Sequence, residues 1–171
     1  MVNTLNDLYR HMEWADAAVW TSVLASESGR SDTKLRECLY HLHMVQRAFL
    51  RVWRGEPRET SYPTFNDAQS LMSWGRTYYD EAFAFLESLN NEKLSEPMPL
   101  PWATMVKERL GRAPETTTVG ETALQVALHS TYHRGQINAR LREVGGEPPL
   151  VDYIAWVWLN RPAANWPPVV T

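Results

Sequence analysis

Apolar residues recur at three- and four-residue steps over four stretches of the chain, the spacing of an amphipathic helix. The first runs from about Leu5 to Ser26, with Leu5, Leu8, Met12, Ala15, Val19 and Val23 on one face. "SESGRSD" then supplies Gly29 as a stop and Ser31 or Asp32 as the cap of the next helix. That second helix runs from about Thr33 to Arg54, with a stripe of Leu35, Leu39, Leu42, Val45, Phe49, Val52 and Trp53. Gly55, Pro57 and Pro63 prevent its continuation. The third runs from about Asn66 to Asn90, with Leu71, Trp74, Tyr78, Ala82, Phe85 and Leu89 together.

An irregular segment follows, from Asn91 to about Thr117, carrying Pro97, Pro99, Pro101, Gly111 and Pro114. Connections of this length are usually functional or cross the end of a domain. Within it, "LPWATMVKERL" suits either a short strand or a helical turn. Thr118 and Glu121 form a capping-box signature for a fourth helix, which reaches about Val144 and stops at Gly145 and Gly146. "LVDYIAWVWL" reads as a short closing helix. The expectation is an all-α protein: a four-helix bundle over residues 1–171, one domain, with a long connection before the last bundle helix and a short C-terminal helix.

Composition agrees with a globular chain, at 171 residues and 44% hydrophobic against 22% charged. A net charge of −3 provides no basic surplus for nucleic acid, and the arginines of the second helix (Arg36, Arg47, Arg51, Arg54) are too scattered to make a basic stripe. The N-terminus is polar and amphipathic, unlike a signal peptide, and no run approaches a membrane span. A single cysteine, Cys38, rules out an internal disulfide, and a reducing cytoplasm is the expected location. Cys38 lies in the apolar stripe of the second helix and reads as a small buried thiol.

The chemistry lies in the histidines. His129 and His133 are four residues apart on the fourth helix, close enough to share one ion. On a helical wheel with Leu124 at zero, they fall near ~140° and ~180°, between Leu128, Tyr132 and Ala139 at ~40–80° and Val126 and Ile137 at ~200–220°. This places both imidazoles toward the bundle interior, with Ser130 and Arg134 pointing away. Either they are core histidines satisfied by hydrogen bonds, or they hold a metal that needs a third ligand. The second helix offers His41, among Val45, Ala48, Val52 and Met44, and His43, among Arg36, Arg47 and Arg54. An inward ligand belongs among apolar groups, so His41 is preferred and His43 reads as partly exposed. His11 ranks below both. Gln136, near ~120° on the wheel, lies beside His129 as a candidate to hydrogen-bond a ligand. Arg134 is expected on the outer face or at a subunit contact, and Gly135 is expected to let a neighbouring helix approach.

Three blocks of the chain, "YRHMEWADAAVW", "LYHLHMVQRAFLRVWRGE" and "HSTYHRGQINARLREVGGEPPLVDYIAW", resemble the DinB/YfiT-like superfamily of four-helix-bundle metalloproteins. The resemblance implies a metal triad of His41, His129 and His133 and a divalent ion, zinc or nickel. It also implies a homodimer and a small-molecule ligand. It further implies thiol-dependent chemistry with a low-molecular-weight thiol cosubstrate. The function expected is a metal-dependent thiol S-transferase or hydrolase; the alternative is a non-catalytic metal- or ligand-binding stress-response protein on the same scaffold. No general base is singled out. The Trp102 loop is a candidate wall for the pocket mouth.

Overall fold

A computed structural model describes residues 2–57 and 61–168. Helix α1 spans Val2–Ala25, α2 Glu27–Ser31, α3 Thr33–Trp53, α4 Ala68–Arg76, α5 Tyr78–Glu87 and α6 Asn91–Leu94. Strand β1 (Pro97–Met98) pairs antiparallel with β2 (Thr117–Thr118), Pro97 opposite Thr118 and Met98 opposite Thr117. Between them lie a 3-10 turn at Ala103–Val106 and α7, Lys107–Leu110. Helix α8 spans Val119–Glu143 and α9 spans Tyr153–Trp158. The protein is all-α, with 68% helix and 2% strand.

Local chemistry sets most of the boundaries. Asp32 caps α3 by accepting from the Leu35 amide at 2.7 Å. The segment before it is a one-turn helix, α2, capped by Ser26. Thr118 and Glu121 form the reciprocal capping box of α8. At the other end of α8, Gly145 takes φ 82°, a left-handed geometry that suits glycine. The ambiguous "LPWATMVKERL" becomes helical turns; the strand pairing falls on either side of it.

The third predicted helix is two helices, broken at Thr77. The Arg47 guanidinium of α3 donates to the Trp74 carbonyl, and the Thr77 hydroxyl donates to the same oxygen. That carbonyl would otherwise receive the amide of Tyr78 in an unbroken helix. A periodic apolar stripe persists across the break, so periodicity alone predicted one rod.

Helices α1, α4–α5, α3 and α8 succeed one another around the bundle, each packed on the next and α8 closing against α1. Two apolar clusters are stacked along it. One joins Leu5, Tyr9 and Met12 to Phe49, Leu50, Trp53, Leu86 and Ala123. The other joins Val19, Trp20 and Val23 to Leu35, Leu39, Leu71, Ile137 and Leu141. Between them lies a buried polar layer from all four walls: Asp16, His43, Gln46, Ser130 and Arg134 are each at most 2% exposed, as is Tyr79.

This layer corrects the sequence-based orientation of α8. Its buried face carries Ala123, Val126, Ala127, Ser130, Arg134, Ile137 and Leu141, while Leu128 and Tyr132 are 59% and 64% exposed. Arg134 lies inside because it bonds to Asp16 of α1, Nη1 to Oδ1 at 2.8 Å. Gly135 is exposed, and a Cβ there would meet nothing within 4 Å, so no other described helix approaches it.

Candidate metal centre

Three imidazoles meet in the groove between α3 and α8. One ring nitrogen each from His41, His129 and His133 lies within 4.8 Å of the others. Ring centroids are 4.3 Å apart for His129 and His133, 4.6 Å for His41 and His133, and 5.7 Å for His41 and His129. The helical step places His129 and His133 one turn apart, and packing of α3 along α8 brings His41 across to them. His129 and His133 are half-buried and His41 is the most open of the three. The cluster sits at the edge of the bundle, not in a dry interior.

None of the three makes a hydrogen bond among the described residues, the buried Nε2 of His129 included. A buried ring nitrogen is normally satisfied. Burial, together with the neighbouring imidazoles, depresses the His129 pKa to about 4. Burial and His133 lower that of His41. Metal ligation requires such uncharged rings. Tetrahedral coordination at Zn–N ~2.0–2.1 Å places ligand nitrogens about 3.3 Å apart, and these three lie within 4.8 Å of one another.

The remaining histidines have partners. His43, expected to be partly exposed, is wholly buried. The Trp20 indole donates to its Nε2 at 2.9 Å, and an indole N–H can only donate. Nδ1 therefore carries the proton, which it gives to Gln46 Oε1 at 2.8 Å. Gln46 Nε2 in turn donates to Asp16 Oδ2 at 2.9 Å and to Ser130 Oγ at 3.2 Å. The Tyr79 hydroxyl donates to the same Asp16 oxygen. A Cβ on Gly75 of α4 would stand 2.4 Å from His43 Nε2, so only glycine lets α4 close over this ring. His11 is also buried; its Nε2 donates to the Val151 carbonyl at 2.8 Å, anchoring the segment before α9.

His41 joins the cluster, but the reason for preferring it is reversed by the structure. It is the edge histidine, and His43 is the inward one. The arginine neighbours that made His43 look exposed are themselves engaged, Arg47 stacking on Trp74 and reaching Glu81. Gln136 is exposed and makes no hydrogen bond to the cluster. Cys38 is half-buried, and burial raises its pKa, as suits an unreactive thiol. Sequence reasoning missed Asp16, Gln46, Ser130 and Trp20. Ser130 and Arg134 directly follow His129 and His133, and their bonds to Gln46 and Asp16 fix how α8 is rotated.

A family model, that of the DinB family, matches residues 1–164. The chain belongs to the DinB family. A search of curated proteins found no match. Beside the cluster of this DinB protein, a cavity of about 510 Å³ is bounded by Met44, Ala48, Phe49 and Val52 of α3, by Gln125 and His129 of α8, and by Trp102 and Met105 of the long connection. Trp102 stands edge-on to Phe49, centroids 5.0 Å apart, and walls the cavity as its position in the loop suggested. Among the described residues, no helix is long and apolar enough to cross a membrane.

Proposed function

We propose that His41, His129 and His133 hold one divalent cation, zinc or nickel, and that this DinB protein is a metal-dependent enzyme of thiol S-transfer or hydrolysis. The observation that carries the reading is the convergence of three imidazoles, without hydrogen bonds, onto a space the size of one ion. Imidazole nitrogen suits both metals. Such an ion supplies positive charge that lowers the pKa of a thiol or water beside it. The chain's own contribution is to favour the uncharged rings of His41 and His129 by burial and to hold all three imidazoles on two helices. The Phe49, Trp102 and Met105 side chains give the adjoining cavity apolar walls.

No carboxylate joins the cluster among the described residues. A thiol or water held beside such an ion would give its proton to solvent, toward which the cluster is most open at His41. The same absence of a base favours the second reading, a non-catalytic metal- or ligand-binding protein on this scaffold. Turnover of electrophiles with small thiols, dependent on added metal and lost in His129→Ala, supports the enzyme. Stoichiometric metal without turnover across a broad thiol panel supports the second reading.

A homodimer is part of this proposal. Leu124, Leu128 and Tyr132 form an exposed apolar stripe on α8, and the exposed Gly135 leaves room for close approach by another helix. Sedimentation of the wild type as a dimer and of Leu128→Glu as a monomer is the expected result. A reducing cytoplasm suits the unpaired Cys38.

A further inference from the structure

The cavity beside His129 follows α3 from Met44 to Val52, a little over two turns or about 12 Å of helix. Its walls along that length are Met44, Ala48, Phe49, Val52, Trp102 and Met105, with Gln125 the one amide among them. Among the described lining residues, charge appears only at the end away from the histidines, where Arg51 and Glu56 pair. Arg51 Nη1 lies 3.3 Å from Glu56 Oε2, and Arg51 Nη2 donates to the Pro57 carbonyl at 3.0 Å. Arg54 Nε lies 2.7 Å from the other Glu56 oxygen. A ligand rich in charge would have to displace these pairs; one with an apolar body would leave them intact.

We infer that the substrate of this site has an uncharged alkyl or aryl body up to about 12 Å long, ending in a single thiol or similar donor that meets the histidines. The inference rests on the metal reading for the head group alone. The body is recognised by the cavity, whether or not an ion is present. A hydrophilic, multiply charged thiol does not fit these walls.

The test is calorimetric titration of the metal-loaded protein with straight-chain thiols from ethanethiol to octanethiol. Each methylene is expected to tighten binding about fourfold until the cavity is filled. Ala48→Trp, which fills the middle of the cavity, flattens the series while metal content stays at the wild-type level. Val52→Trp, at the far end, leaves the slope for short members and stops it for long ones. His129→Ala weakens every member by the same factor and keeps the slope. If octanol binds as well as octanethiol with the slope intact, the cavity reading stands and the metal reading fails. A flat series in the wild type overturns the inference, as does glutathione binding more tightly than octanethiol, or an unchanged slope in Ala48→Trp.

Discussion

His41 and His43 are two residues apart on one helix and have opposite surroundings. At the bundle centre, His43 is fixed by Trp20 and Gln46 in one tautomer and is closed over by Gly75. At the bundle edge, His41 faces two other imidazoles, and none of the three has a hydrogen bond among the described residues. A histidine whose nitrogens are both satisfied stabilises a fold and has nothing left for a ligand. Three that share a space and lack partners among the described residues leave their nitrogens free for the ion proposed above. The difference lies in what faces each ring nitrogen, and depth of burial alone would have selected His43.

Breaking the central layer carries the largest expected effect. Asp16→Ala leaves Arg134 buried without its counterion and destabilises the fold by roughly 3–5 kcal/mol, read as a lower denaturant midpoint. Replacing both, as Asp16→Leu with Arg134→Met, is expected to cost less than Asp16→Ala alone, because no unpaired charge remains.

The next effect sets the two histidines directly against each other. His43→Ala creates a cavity and orphans the Trp20 indole, for a loss of roughly 2–4 kcal/mol, while metal content per folded molecule is retained. In chelator, His41→Ala changes stability by no more than about 0.5 kcal/mol, yet it abolishes stoichiometric metal. Unfolding curves and elemental analysis on the same two proteins check both halves. Equal behaviour of the two variants contradicts the comparison.

This pair also marks what the sequence revealed. The capping box at Thr118 and Glu121, the Gly145 stop and the HxxxH spacing are local features, and each appears in the structure where the chain predicted it. The polar layer is not local. Asp16, Gln46 and Arg134 carry no inward signal until their partners on other helices are known, and so the apolar pattern counted Leu128 and Tyr132 with the inward face of α8 and turned Arg134 outward. The apolar stripe likewise ran unbroken through Thr77, because the arginine that interrupts the helix there comes from α3.

The pH dependence is smaller and has a defined sign. His129 has a folded-state pKa of about 4 against about 6.5 unfolded, so the unfolded chain binds more protons between those values. Stability of the metal-free protein is fully present above pH ~6.5 and falls as pH drops toward ~4, with His41 and His43 contributing in the same direction. Thermal unfolding in chelator across that range checks the sign, and His129→Phe is expected to flatten the dependence. The smallest effect belongs to Gln136→Ala, which is expected to leave both stability and metal affinity unchanged, since this exposed amide makes no hydrogen bond to the cluster.

The most direct measurement is metal content after equilibrium dialysis against zinc or nickel, with the wild type beside His41→Ala, His129→Ala and His133→Ala. The account predicts near-stoichiometric metal in the wild type and background levels in each variant, all of them folded. A wild type that binds no metal, or any one of the three variants keeping a full complement, would contradict it.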